Sequence, residues 1–225
     1  MSEQQRPLAL VVLISGRGSN LRAILDAIEH GELPATVSAV ISDRATAGGL
    51  EYASRHNIDI LALDPADYPD RESYDRALQG LIDAFDPGLV VLAGFMRILS
   101  AGFVQHYRQR LINIHPSLLP ALRGLHTHRR AIEQGLGEHG ASVHFVTEEL
   151  DGGPVIVQVR VPVLPGDTAE RLAARVLEQE HRLYPLAIRW LAEGRVRWQD
   201  DQLLFDGQPL QQPLQLNSNA LQPDR

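Results

Sequence analysis

The reading of the fold starts from Leu8-Ala9-Leu10-Val11-Val12-Leu13-Ile14-Ser15-Gly16-Arg17-Gly18-Ser19-Asn20-Leu21. The unbroken apolar run from Leu8 to Ile14 suits a strand covered on both faces, as in a parallel sheet. It stops in a glycine-containing loop. Leu21, Ile24, Leu25 and Ile28 then recur at helical spacing, and Gly31 ends the helix. Strand, glycine loop and helix make one βα unit.

The unit repeats along the chain. Residues 36–41, 58–63, 89–93 and 111–115 read as strands, and 49–56 as a short helix. Tyr74, Leu78, Leu81, Ile82 and Phe85 mark one face of another helix. After residue 140 the style changes. Residues 141–146 and 155–163 are β runs joined by a turn-rich segment, 147–154. Asp167-Thr168 opens a long helical stretch to about Gly194, and 196–198 and 203–205 are short strands followed by an Asp206-Gly207 turn signal. The fold expected is α/β: a three-layer sandwich with a mostly parallel, Rossmann-like central sheet and right-handed crossovers. No repeat or linker divides it, so residues 1–210 are expected to form one domain and 211–225 a polar, flexible tail.

Hydrophobic residues make up 44% of the 225, enough for a sizeable core. The net charge of −7 argues against a nucleic-acid partner, which needs a clustered basic face. The absence of Cys removes thiol nucleophiles, disulfides and Cys-ligated metals. No apolar run is long enough to span a bilayer, and the polar start, Met1 to Arg6, carries no export signal. A cytoplasmic protein without membrane association is expected.

The glycine loop fails two templates. A dinucleotide fingerprint needs a third Gly where Leu21 stands, and a Walker loop needs Gly-Lys-Ser/Thr. What remains is a turn whose N–H groups at Gly18, Ser19 and Asn20, with the helix start, suit a single phosphate. Ser19 or Asn20 is expected to cap the helix; an ordinary tight turn fits the same residues.

Asn113-Ile114-His115-Pro116 closes the strand at 111–115. Alternate strand residues share a face, so an amide donor and a proton-transferring imidazole point to one place. That pairing suits chemistry at a carbonyl, and it sits at the carboxyl end of a strand, where open α/β sheets bind ligands. A satisfied buried pair is the bland alternative. Asp151, in a glycine-rich turn, is either solvated or folded back to orient His115. His115, His126, His128, His139 and His144 fall close together, but their spacings match no known zinc pattern; His139 reads as solvated, and His144 as facing either the site or the core. Met96, Arg97, Ile98 and Leu99 follow a strand and read as core or as a cradle for a flat ring. Glu180, on the long helix, and Arg71, at a helix start, read as solvated on pattern alone.

Four motifs then stand in order: Ile14-Ser15-Gly16-Arg17-Gly18-Ser19-Asn20-Leu21; Leu92-Ala93-Gly94-Phe95-Met96-Arg97-Ile98-Leu99; Asn113-Ile114-His115-Pro116-Ser117-Leu118-Leu119-Pro120; and Gly140 to Thr147 continuing through Leu150-Asp151-Gly152-Gly153-Pro154. Together they resemble the folate-dependent phosphoribosylglycinamide formyltransferases, over residues 8 to about 195. The resemblance implies attack by the amine of N1-(5-phospho-D-ribosyl)glycinamide on the formyl carbon of 10-formyltetrahydrofolate, a step of de novo purine (IMP) biosynthesis. It implies formylfolate as co-substrate, no metal, small-molecule partners, and a monomer or homodimer. It puts the phosphate on Gly18, Ser19 and Asn20 and the ribose near Glu180. The folate lies against Met96, Arg97, Ile98, Leu99 and Asn113, with Arg71 near it. Asn113, His115 and Asp151 form the catalytic trio.

One departure stands out: where such enzymes usually carry an aromatic residue and a proline before Gly124, this chain has Leu122 and Arg123. The nearest alternatives are a formyltetrahydrofolate hydrolase and a methionyl-tRNA formyltransferase. The first usually has an added N-terminal domain; the second needs a basic surface. A non-catalytic nucleotide-binding regulator would have no use for the trio.

Overall fold

The computed structural model describes residues 6–216. Its central sheet has eight strands, in the order β11-β7-β6-β5-β4-β1-β2-β3. These are β1 (Leu8–Ile14), β2 (Ala35–Ser42), β3 (Asp59–Ala62), β4 (Leu89–Leu92), β5 (Leu111–His115), β6 (Glu138–Phe145), β7 (Val155–Pro162) and β11 (Leu214–Leu216). The run β3-β2-β1-β4-β5 is parallel throughout, and β6 is antiparallel to both of its neighbours. The sheet is mostly parallel, as the alternation of strands and helices requires.

The continuous apolar strands are explained by what covers them. Leu10, Val12 and Ile14 of β1 pack on one side with Leu21 and Ile24 of α1 (Ser19–Glu29) and Leu183 and Ile188 of α6 (Ala169–Ala192). Val11 and Leu13 pack on the other side with Tyr74, Leu78 and Ile82 of α3 (Arg71–Asp83) and Phe103 of α4 (Ala101–His106). All five of these β1 residues are fully buried. Three layers follow directly from the two-sided strand.

Several expectations need correction. Neither Ser19 nor Asn20 caps α1. The cap position is Gly18, at φ 69, with no side-chain cap bond. Only glycine takes this backbone without strain, and a Cβ there would stand 2.6 Å from the Gly49 Cα. Two short helices, α4 and α5 (Thr127–Glu133), carry too few turns for periodicity to reveal them. Part of the tail beyond residue 210 is ordered: Leu214–Leu216 pairs parallel with β7 through Leu214↔Val157, and residues 217–225 lie outside the described residues. Thr168, by contrast, caps α6 as its position suggests, accepting from the Arg171 N–H.

The late strands form a separate antiparallel sheet: β8 (Val196–Gln199), β9 (Gln202–Phe205) and β10 (Gln208–Pro209). Asp206 and Gly207 turn it at φ 50 and 77, the double left-handed step of a tight hairpin. Asp200 and Asp201 do the same at φ 49 and 59 without glycine to announce it.

Tyr184 ties the long helix to the sheet. Its buried hydroxyl lies 2.9 Å from the Leu92 carbonyl and 3.2 Å from the Ile112 carbonyl, at the ends of the two strands that carry the site. Replacing Tyr184 with Phe is expected to lower stability by about 1–2 kcal/mol. Urea unfolding at fixed pH, read by the shift in midpoint, checks this.

Candidate active site

Asn113 and His115 stand on β5, and the strand continues through His115, so both face one side. The 147–154 connection doubles back toward them. Gly153 makes that return possible: a Cβ there would sit 1.9 Å from the Phe145 carbonyl oxygen. The return delivers Asp151, at φ 48, to a position only 9% exposed in its side chain. Asp tolerates the left-handed region better than most residues, and strained backbone of this kind clusters at working sites.

The Asp151 carboxylate gathers the site. One oxygen, Oδ2, accepts from the Gly124 N–H at 2.9 Å and lies 3.5 Å from His115 Nδ1. The other, Oδ1, lies 3.8 Å from His144 Nε2. The opposite nitrogen of His115, Nε2, donates to the Leu122 carbonyl at 3.1 Å. The loop with the unusual Leu122-Arg123 pair therefore fastens to both His115 and Asp151. Arg123 also pairs with Glu149, joining that loop to the one carrying Asp151.

His144 is the residue that sequence reasoning left undecided. It faces the site. Its Nδ1 lies 2.8 Å from the Phe145 carbonyl, so Nδ1 must carry hydrogen. Burial pulls its pKa down to about 4, against a weaker opposing pull from Asp151. The ring is neutral near pH 7, and Nε2 is an acceptor. It sits 3.2 Å from Asn113 Nδ2. That fixes the amide: Asn113 must turn its NH2 toward His144, leaving the second N–H for another acceptor. The only sequence signal was the alternation of His144 with Ser142 on one strand.

The glycine loop lies at the carboxyl end of β1. The Ser15 N–H donates to the Gly94 carbonyl and Ser15 Oγ accepts from the Met96 N–H at 2.9 Å. One serine thus clamps the loop at 15–18 to the segment at 94–96. Together with Arg44 they enclose a cavity of about 320 Å³ reaching Gly18, Ser19 and Asn20. Asn20 Nδ2 donates to Glu180 Oε2 at 2.8 Å. Glu180 is buried rather than on a solvated helix face, and burial raises its pKa despite that bond. The Asn20 Oδ1 is buried and has no partner.

Met96 and Ile98 are 70% and 62% exposed, so the segment is not core. Leu125 and Leu150, beside Gly124 and Asp151, are also exposed; among the described residues these four are most of the large hydrophobic side chains left in solvent. Apolar surface gathered around a polar centre suits a flat heterocycle. Arg97 stacks on the Tyr74 ring at 4.6 Å. Arg71 is exposed at the first turn of α3 and pairs with Glu72; no bond joins it to the rest of the site.

His139 is not solvated. It is 1% exposed, with Nε2 3.1 Å from His128 Nδ1, and burial with the two neighbouring histidines draws its pKa down to about 4. Among the described residues no group of three or more His, Asp or Glu side chains could hold a metal ion.

The fold and the geometry define a class. Residues 8–188 match the formyl transferase family, and the chain belongs to it. It is 55% identical over 201 residues to the phosphoribosylglycinamide formyltransferase of Escherichia coli (strain K12), covering 89% of this chain and 95% of that one. A solved phosphoribosylglycinamide formyltransferase from Coxiella burnetii superposes with a TM-score of 0.87 at 50% identity, covering 91% of this chain and 96% of that one. A formyltetrahydrofolate deformylase from Pseudomonas putida KT2440 shares the fold at a TM-score of 0.81 but only 26% identity, covering 91% and 72%.

His139 and His144, the histidines pushed furthest down, make stability pH-dependent. Each has a folded pKa near 4 against an ordinary value of 6.5. Between these values the unfolded chain takes up protons that the folded chain refuses, so stability falls as pH drops from about 6.5 toward 4. Urea titrations at pH 7 and 5 are expected to show the loss, and His139→Gln to make it shallower. An equal slope in the variant would remove His139 from the account.

Proposed function

We propose that this chain transfers the formyl group of 10-formyltetrahydrofolate to the amine of N1-(5-phospho-D-ribosyl)glycinamide. The products are formylglycinamide ribonucleotide and tetrahydrofolate, and the reaction belongs to de novo purine biosynthesis. The observation that carries this reading is the 55% identity to a phosphoribosylglycinamide formyltransferase along nearly the full length of both chains. The site arranged around Asp151 supports it.

Amine attack on a formyl carbon makes a tetrahedral adduct with an anionic oxygen. The N–H of Asn113 that His144 leaves free serves that oxygen, and His115 serves it from the other side by turning its Nε2–H from the Leu122 carbonyl to the adduct. Asp151, 3.5 Å from Nδ1, orients the imidazole. His115 then passes a proton toward the departing folate nitrogen while the attacking nitrogen loses one, directly or through water held by Asp151. No covalent enzyme intermediate is required, consistent with the absence of Cys.

The acceptor's phosphate takes the N–H groups of Gly18, Ser19 and Asn20, which point from a helix start. Its ribose hydroxyls meet Glu180, which Asn20 holds in place. The pteridine lies against Met96, Arg97, Ile98 and Leu99, and the outer part of the folate extends toward Arg71. We place the enzyme in the cytoplasm, as a monomer or homodimer acting on small molecules. No helix among the described residues is long and apolar enough to cross a membrane.

His115→Ala and Asp151→Asn are each expected to lower kcat at least a hundredfold, and Asn113→Ala about 10²–10³-fold, equivalent to about 2.7–4 kcal/mol. Thermal unfolding should stay cooperative. Stopped-time assays of tetrahydrofolate release, with and without the ribonucleotide acceptor, check this. Release that needs no acceptor and yields formate would mark a hydrolase instead. Near-normal rates in the His115 and Asp151 variants would remove both residues from the mechanism.

A further inference from the structure

The cavity at the glycine loop carries two cations that the reaction scheme leaves without a role. Arg17 stands between Gly16 and Gly18. Arg44 lies just beyond the end of β2. Both line the same cavity of about 320 Å³, together with Gly18, Ser19 and Asn20, and both are exposed.

What sets them apart is that they share one cavity whose lining contains no carboxylate. The chain has 28 acidic residues against 21 basic ones, and many of its arginines pair with carboxylates, as Arg160 with Glu138, Arg175 with Asp167 and Arg195 with Asp206. Among the described residues, the Arg17 and Arg44 guanidiniums have neither ion pair nor hydrogen bond; the one bond to a side chain at Arg44 uses its backbone N–H, to Ser42 Oγ. Two uncompensated cations therefore face one small cavity in an otherwise acidic molecule.

The rest of that cavity offers neutral donors. A loop of backbone N–H groups orients an anion but brings only partial charge. A phosphate monoester near neutral pH carries a charge of about −1.5 to −2. Guanidinium forks match phosphate oxygens in geometry and supply the missing charge.

We propose that Arg17 and Arg44 select a phosphorylated acceptor, flanking its phosphate monoester from the two sides of the glycine loop. They are specificity residues for the acceptor and touch no reacting atom. The identity of the acceptor rests on the formyl-transfer reading above; the anion site itself does not.

The test compares wild type, Arg17→Ala, Arg44→Ala and the double variant, with N1-(5-phospho-D-ribosyl)glycinamide and with its unphosphorylated riboside. Each single variant should raise KM for the phosphorylated acceptor on the order of tenfold, and the double variant further. The kcat should stay within about twofold, since uniform binding alone is lost. KM for the riboside should not change. Arg160→Ala, which removes the same charge from β7, should alter neither. Calorimetric titration with inorganic phosphate needs no turnover: affinity should fall in the variants. If wild type formylates neither acceptor yet binds phosphate through both arginines, the assigned reaction fails and the anion site stands. An unchanged KM and unchanged phosphate affinity in the double variant would overturn the proposal.

Discussion

One carboxylate holds this site together. Asp151 comes from a connection between two antiparallel strands, yet it reaches a histidine on β5, the backbone of the loop at Gly124, and the neutral ring of His144. A buried carboxylate needs partners, because an unpaired one costs several kcal/mol. The two that satisfy it, the Gly124 N–H and the His115 ring, belong to the candidate site. Satisfying Asp151 brings the β5 histidine and the loop at Gly124 together. The left-handed backbone at Asp151 and the glycine at 153 are the local cost of bringing that group so far from its own strands.

Around that centre, hydrogen is distributed by carbonyl groups rather than by charge. The Phe145 carbonyl dictates the tautomer of His144, and the tautomer dictates the orientation of Asn113. The Leu122 carbonyl does the same for His115 Nε2. Main-chain oxygens are fixed by the fold, so the Asn113 amide is oriented before any substrate arrives. Such preorganisation lets hydrogen bonds serve a developing oxyanion without further rearrangement.

The acceptor side is built differently. There the backbone itself approaches: a Cβ at Gly18 would stand 2.6 Å from the Gly49 Cα and one at Gly49 2.8 Å from the Gly18 Cα, leaving no room for a side chain at either. Ser15 locks this loop to the segment carrying Met96, so the anion cradle and the apolar shelf move as one body. Glu180 reaches the cradle from α6, while Tyr184, one turn later, anchors that helix to β4 and β5.

Much of this was legible in the chain as written. Doubly buried strands alternating with amphipathic helices can pack only as a layered α/β sheet, and the period of two along β5 already put Asn113 and His115 on one side. Four ordered motifs pointed to the family and its chemistry. The unread parts share a cause: they depend on contacts between residues distant in sequence. Burial of Glu180 against Asn20, the desolvation of His139 and the choice of His144 for the site are properties of neighbours, and a sequence does not list neighbours. The helix start at Gly18 escaped because its conformation is imposed by the close pass of Gly49, not by a capping side chain. Local periodicity and backbone preference determined the layers and put Asn113 and His115 on one face. Only tertiary packing decided their partners and their aim, and the neutral state of His144 beside them, because those follow from burial and from the carbonyls they happen to face.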